Sequence, residues 1–358
     1  MSMLRALSAA LLATGLVTPC LGDVGMRQLV IPADEHGRQL SVTLWYPSAP
    51  GGQPVLVGDN GLFKGTPVMR DAPQAEGRFP LVLLSHGSGG SAQAMSWLAT
   101  ELAEAGFIVA GPDHPGTTSG DSTPADTPKL WQRRQDLSAV ADRLITDPQW
   151  RVRVDGDRIG VVGFSLGGAA AMRIAGARTT LEAYARYCDA QTRWDCASYA
   201  GGIGFVNGAS KKVDKVNLRA VDRALFEQSD RDPRIKAAVM VDPGLAQAYD
   251  ERSLAEVAIP MSFVNLGAPT TIPPGVVADQ LASQTPKGTY ATVTGAHHYS
   301  FLPECKDGAA EMLRSEGEEE PLCGEPGERS RKDIHSELAR LIRTALRQGL
   351  GPAIPATR

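Results

Sequence analysis

The stretch "RIGVVGFSLGG", Arg158 to Gly168, decides how the chain folds. Ile159, Val161 and Val162 make a short run without a polar face, the pattern of a strand buried on both sides. Ser165 then stands between Gly163 and Gly167, and "GGAAAMRIAGA" continues with the composition of a helix. A strand that becomes a helix within so few residues must turn sharply, and glycines beside the turn let backbone approach where a side chain would block it. Ser165 is thereby lifted above the sheet. The N–H of Leu166 opens the helix, where aligned peptide dipoles favour negative charge. A serine that merely caps a helix would need no such surroundings.

The flanking sequence supplies the sheet this turn requires. "FPLVLLSHGSGG", "FIVAGPDHPG", "IKAAVMVD", "IPMSFVNLG" and "TYATVTG" read as strands. Helical spacing appears in "AQAMSWLATELAEAG", "LWQRRQDLSAVADRLI" and "DIHSELARLIRTALRQ". Apolar strands alternating with amphipathic helices predict an α/β fold, a mostly parallel sheet covered on both faces. Before them, "RQLVIPADEHGRQLSVTLWYP" predicts a hairpin turning at Glu35 to Gly37, and a Gly-, Pro- and Asp-rich loop is expected from Ser48 to Gly77. The pattern lapses between about 178 and 232, which reads as an inserted cap containing one helix, "NLRAVDRALFEQ". The stretch "RSEGEEEPLCGEPGERSRKD" reads as a solvated loop.

Composition narrows the function. The 358 residues are 42% hydrophobic with a net charge of −4, ordinary for a globular protein, and no basic stripe offers a footprint for nucleic acid. Residues 1–22 carry a charged start and an apolar run too short to span a bilayer, a signal peptide that implies a secreted or periplasmic chain without an integral membrane segment once matured, residues 23–358 forming one domain. Cys20 invites a lipoprotein reading, but Pro19 before it fits poorly. The remaining cysteines, Cys188, Cys196, Cys305 and Cys323, allow three pairings. The sequence-local pairs Cys188–Cys196 and Cys305–Cys323 are favoured, since each closes an irregular stretch with little core of its own. Metal ligation is weaker, because neither Cys-x-x-Cys nor His-x-x-x-His spacing accompanies them, and nothing calls for a cofactor.

A serine hydroxyl is a poor nucleophile at neutral pH, so Ser165 needs a base, and the base needs an acid to orient it. Of the six histidines, His36 lies in the first turn and His335 in the last helix. His86 and His114 follow earlier strands and could line a site, but the chain order that accompanies this kind of turn is nucleophile, acid, base. That leaves His297 and His298, whose adjacent side chains diverge. The strand "IKAAVMVD" delivers Asp242 to the carboxyl end of the sheet. Oxyanion donors are expected from Ser88, in the glycine-rich "SHGSGG", and from Leu166. No Gly-Lys-Ser/Thr follows the glycines, which argues against nucleotide binding.

Taken in order, "LWYP", "SHGSGG", "DHPG", "RIGVVGFSLGG", "VMVDPG" and "GAHHYSFL" resemble the dienelactone-hydrolase-like branch of the α/β-hydrolases, which includes platelet-activating-factor acetylhydrolases. The resemblance implies the α/β-hydrolase fold, a Ser165–Asp242–His298 triad and an ester substrate that is a small molecule or lipid-like. Gly295 and Phe301 bracket His298 as in that family, which selects it over His297. Two departures stand out. Dienelactone hydrolases proper use cysteine where this chain has Ser165, and the span from Ser165 to Asp242 is longer than the acetylhydrolase pattern. The expected activity is a serine carboxylic esterase working through an acyl-enzyme. Lipid or polyester hydrolysis, with Trp97, Trp131, Trp150 and Trp194 as candidate lining residues, is the alternative within catalysis. Peptidase chemistry would use the same residues, and a catalytically idle ligand-binding homologue is the alternative outside catalysis.

Overall fold

The computed structural model describes residues 24–32 and 37–351; the signal segment, Cys20 and His36 lie outside the described residues. The N-terminal part supplies the strands β1 Val24–Ile31, β2 Leu40–Pro47, β3 Gln53–Val57, β4 Thr66–Arg70 and β5 Phe79–Ser85. Then come α1 Ser96–Glu104, β6 Ile108–Pro112, the short strands β7 Thr117–Thr118 and β8 Asp121–Ser122, α2 Leu130–Thr146, β9 Val154–Phe164 and α3 Leu166–Ala175. The segment that follows holds α4 Leu181–Ala190, β10 Gly202–Val206, β11 Ala209–Val213 and α5 Arg223–Glu227. The chain closes with β12 Ile235–Val241, α6 Glu251–Ala255, β13 Met261–Leu266, α7 Asp279–Gln284, β14 Gly288–Val293, α8 Ala309–Ser315 and α9 Arg331–Leu350.

Among the described residues the main sheet has ten strands in the order β14-β13-β12-β9-β5-β6-β2-β1-β4-β3. From β14 to β6 every pairing is parallel, whereas β2 joins β6 antiparallel. The alternation of side chains along each strand divides the core in two. Leu81 and Leu83 of β5, Ile159 and Val161 of β9 and Met240 of β12 face α2 and α3, while Val82, Leu84, Val162, Val239 and Val241 face α1 and α9. Burial on both faces is why these strands are continuously apolar in sequence, and this is the α/β-hydrolase architecture that the resemblance implies.

Three expectations need correction. The loop expected from Ser48 to Gly77 contains β3 and β4, which extend the sheet through a parallel pairing of β4 with β1. Only Val57 and Val68 of these short strands are buried, so they carry no alternation to read. The single helix expected over "NLRAVDRALFEQ" is broken in two, because the Asn217 and Asp222 side chains each cap a separate short turn. The acidic stretch before α9 is not wholly solvated, since Glu325 is partly buried against Arg331 with Nε 2.6 Å from Oε1.

Residues 181–227 sit on the carboxyl end of the sheet, packed through Leu181, Tyr184, Tyr199 and Phe226 against Leu130, Trp131, Leu166 and Leu245. Hairpin β10–β11 pairs with β8, making a second, four-stranded sheet. The segment is anchored by Arg173 of α3, a fully buried guanidinium that pairs with Asp230 at 2.5 Å and donates to the carbonyls of Leu225, Phe226 and Gln228. Both sequence-local disulfides, Cys188–Cys196 and Cys305–Cys323, are formed. No helix among the described residues is long and apolar enough to cross a membrane.

Candidate active site

Ser165 sits between β9 and α3 at φ +55°, ψ −120°, a conformation that a residue with a side chain holds only when its surroundings enforce it. The surroundings here are backbone packed against backbone. A Cβ on Gly163 would lie 2.0 Å from the Gly167 carbonyl oxygen, and one on Gly167 would lie 1.9 Å from that of Ser85. Two hydrogen bonds tie the turn to the neighbouring strand end: Ser165 N–H to Val241 O at 3.0 Å, and Gly244 N–H to Ser165 O at 2.8 Å. The glycines are thus required by space.

The structure brings the three separated side chains together. His298 Nε2 lies 3.2 Å from Ser165 Oγ, and His298 Nδ1 lies 2.9 Å from Asp242 Oδ2. Asp242 is fully buried and holds φ +43° at the end of β12. Its second oxygen accepts from Asn265 Nδ2 at 2.7 Å and from Leu266 N–H at 2.9 Å, so both carboxylate oxygens are occupied. Asn265 is itself fixed from other directions, donating to Val276 O and accepting from Ala278 N–H and Tyr290 OH. In sequence, "FVNLGAP" is notable only for lacking a carboxylate. Its asparagine is the residue that holds the Asp242 carboxylate.

His298 begins a short 3₁₀ turn through Phe301, and the histidine beside it has a different task. His297 accepts the Tyr299 N–H on Nδ1 and reaches Gly324 O through Nε2 at 2.6 Å, facing away from Ser165. Ser300 closes the turn by accepting from His297 N–H and donating to Glu325, the carboxylate paired with Arg331. Phe164 packs on the His298 ring with centroids 4.7 Å apart and stacks on Phe301.

Ser88 and Leu166 line the same cavity as Ser165, and no acceptor among the described residues takes either N–H. The loop that carries Ser88 comes close enough that a Cβ on Gly87 would lie 3.4 Å from Ser165 Cβ. Behind it, buried Arg133 donates to His86 O at 2.5 Å and to Gly87 O at 3.4 Å, which fixes the backbone on either side. In sequence Arg133 reads as one polar position of α2, and nothing local marks its contact with this loop. His86 and His114 do not line the cavity. His86 donates from Nδ1 to Gly87 O at 2.7 Å and accepts the His114 N–H, and His114 bridges Ser85 Oγ and Asp136 Oδ2 at 2.9 and 2.8 Å. Burial, with Arg133 nearby, holds both imidazoles well below their usual pKa. Burial also lowers the pKa of Arg133 to about 9.

The cavity measures about 600 Å³ and is roofed by Tyr184, Trp194, Asp195 and Ser198 from the inserted segment. Phe164, Leu245, Val276 and Leu302 make much of its wall. Of the four tryptophans considered as lining, Trp194 alone is there. Trp150 and Trp131 are buried in packing clusters, and Trp97 stacks on His335 with centroids 3.7 Å apart. Among the described residues no group of His, Cys, Asp and Glu is arranged to hold a metal.

Comparison with known proteins bears on the family and the fold. Residues 81–311 match the model of the alpha/beta hydrolase family, and residues 26–129 match that of platelet-activating factor acetylhydrolase, isoform II. Cutinase est1 of Thermobifida alba is 30% identical over 113 residues, 31% of this chain and 35% of that protein. The bis(hydroxyethyl) terephthalate hydrolase of Streptomyces coelicolor is 30% identical over 121 residues, 34% of this chain and 36% of that protein. The chain therefore spans about a third of the length of these curated relatives. Among solved structures, ferulic acid esterase from Streptomyces cinnamoneus superimposes with a TM-score of 0.55 at 20% identity, covering 93% of this chain and 91% of that one, a likeness of fold.

Proposed function

This chain belongs to the α/β-hydrolase family, and we propose that it is a secreted or periplasmic serine esterase that cleaves carboxylic esters through Ser165, His298 and Asp242. The observation that carries the reading is the hydrogen-bonded line from the buried Asp242 carboxylate through His298 to Ser165 Oγ, which opens on a cavity of about 600 Å³. Ser165 Oγ attacks the ester carbonyl while His298 Nε2 takes its proton. Asp242 holds the ring with Nδ1–H toward it and stabilises the imidazolium. The carbonyl oxygen, now carrying negative charge, accepts from the unpaired N–H groups of Ser88 and Leu166. Collapse of the tetrahedral intermediate returns the proton to the departing alcohol and leaves an acyl group on Ser165. Water, deprotonated by His298, then releases the acid. Two disulfides and the apolar start of the chain support an oxidising compartment.

Replacement Ser165→Ala is expected to lower kcat for a p-nitrophenyl short-chain ester by several orders of magnitude, the size of effect seen when a nucleophile of this kind is lost. Unchanged turnover overturns the assignment. Covalent labelling of the wild-type serine by a fluorophosphonate excludes a binding-only homologue. A second reading, hydrolysis of lipid or polyester chains, is favoured by Trp194, Ile203 and Phe205, which stand 50%, 73% and 44% exposed on the inserted segment that roofs the cavity. A series of acyl chain lengths separates the two, since only an extended apolar contact makes kcat/KM rise steadily with length.

A further inference from the structure

A second cavity of about 530 Å³ adjoins the one that holds Ser165, and the two share Ser88, Gly89, Ser119 and Ser198 along their common edge. Strand β10 forms its far wall. Ile203 and Phe205 stand on one face of β10, alternate with buried Gly204, and line this cavity while remaining exposed. Ser122 of β8 is the cross-strand partner of Phe205, so the two side chains share a face. A Cβ on Gly89 would lie 4.0 Å from Ser122 Oγ, which places that hydroxyl across from the Ser88 loop. Backbone hydrogen bonds stitch the walls together: Gly89 N–H to Thr117 O at 2.9 Å, Ser119 N–H to Gly90 O at 2.8 Å and Gly208 N–H to Gly120 O at 2.7 Å. The cavity is therefore formed before anything enters it.

The chemistry of the lining selects among ligands. No charged side chain lines the cavity among the described residues, so an ionic group finds no counter-charge there. The hydroxyls of Ser88, Ser119, Ser122 and Ser198 all line it and have no hydrogen-bond partner among the described residues; Ser88, Ser119 and Ser198 are exposed and Ser122 is half-buried, so a ligand can reach them. Each hydroxyl donates once and accepts twice. A hydrocarbon chain would cover Phe205 but strip water from these serines without replacing its hydrogen bonds. A ring with C–H groups on its faces and hydroxyls around its edge satisfies both walls at once. We propose that this second cavity is a subsite for a neutral polyhydroxylated ring, the sugar-like portion of an ester whose carbonyl lies at Ser165. The inference deepens the ester-hydrolase reading and rests on it for the carbonyl, though not for the ring. The ring lies against Phe205, and Ser119 and Ser122 bond its hydroxyls. A site built to hydrogen-bond a substrate hydroxyl discriminates against the analogue that lacks it more strongly than an apolar pocket discriminates by size.

The test uses the full chain and two matched pairs of esters. One pair is methyl 6-O-acetyl-glucopyranoside and cyclohexylmethyl acetate, which present the ring from the alcohol side. The other is methyl quinate and methyl cyclohexanecarboxylate, which present it from the acyl side. Each kcat/KM is divided by the hydroxide-catalysed rate of the same ester, so that intrinsic reactivity cancels. The wild type is expected to favour the hydroxylated member of at least one pair by about tenfold or more. That preference should fall by about fivefold or more in Phe205→Ser and in the double variant Ser119→Ala/Ser122→Ala. Ratios near unity for both pairs in an active wild type overturn the proposal, as does a preference that either variant leaves unchanged while keeping a native circular dichroism spectrum. A preference for the hydrocarbon member that Phe205→Ser erases also overturns it, and assigns the cavity to an acyl or alkyl chain. Binding gives a readout without turnover: saturation-transfer NMR of cellobiose with the wild type and Phe205→Ser. Transfer that is lost in the variant supports the subsite even if no ester is hydrolysed, in which case only the esterase reading fails. Absence of transfer in a protein that hydrolyses neither pair overturns the subsite as well.

Discussion

Acidification should unfold this protein through three histidines that the fold keeps neutral. His86, His114 and His335 are buried, and each neutral ring has acceptors or donors suited to that state. His86 and His114 are held well below the usual histidine range, first by burial and then by the Arg133 guanidinium; for His114 the Asp136 contact does not reverse this, because Asp136 is shared with Arg38. His335, stacked on Trp97 with Nε2 3.0 Å from Ser300 O, is lowered to about 3 by burial, with Arg331 adding to it. An unfolded histidine titrates near 6.5, so below that pH the unfolded chain binds protons that the native chain refuses. Stability then rises with pH. The contribution is complete above about pH 6.5 and is lost as the pH falls from there toward the folded values. Each such group costs about 1.4 kcal/mol between pH 7.5 and 5.5, so the three together remove about 4 kcal/mol, a large part of the 5–15 kcal/mol typical of a domain. Urea unfolding of the disulfide-intact protein at the two pH values measures this directly. His335→Gln should reduce the difference by about a third, since one of the three proton sites is gone. A free energy of unfolding that changes by less than about 1 kcal/mol across this range would refute the reasoning.

Two further substitutions probe the support of the site. Asn265→Ala removes a 2.7 Å donor to Asp242 and strands the Ala278 N–H and the Val276 carbonyl, so kcat should fall on the order of 10²-fold and stability by about 2–3 kcal/mol; kcat within twofold of wild type in a folded variant removes Asn265 from the orienting role. Arg133→Met keeps most of the side-chain volume and releases the carbonyls of His86 and Gly87, so kcat should fall on the order of 10²–10³-fold with KM little changed. Binding of phenylboronic acid, which places an oxygen where the oxyanion forms, should weaken in parallel, and unaltered boronate affinity would separate Arg133 from the Ser88 amide.

How far the site could be read in advance depended on how local each cue was. Ser165 declares itself because the strand, the two glycines and the helix are contiguous, and Asp242 and His298 each follow a recognisable strand or lie in a short motif. The disulfide pairs were legible because each closes a short loop. The strands β3 and β4 escaped because they bury one valine each. The interrupted helix escaped because two caps, Asn217 and Asp222, outweigh the apolar spacing around them. Glu325 looked like one more charge in an acidic loop, and only its contacts with Ser300 and Arg331 make it part of the support for His298.

By itself the sequence determined the order of layers, the sharp turn at Ser165 and the kinds of group available to act with it, since periodicity and glycine spacing are properties of neighbouring residues. Which side chains hold those groups in place was decided only by the tertiary structure. Asn265 on Asp242 and Arg133 behind the Ser88 loop act through contacts between residues far apart in the chain. A polar side chain has the same appearance in sequence whether water or a buried carboxylate is its partner, and burial is what separates the two.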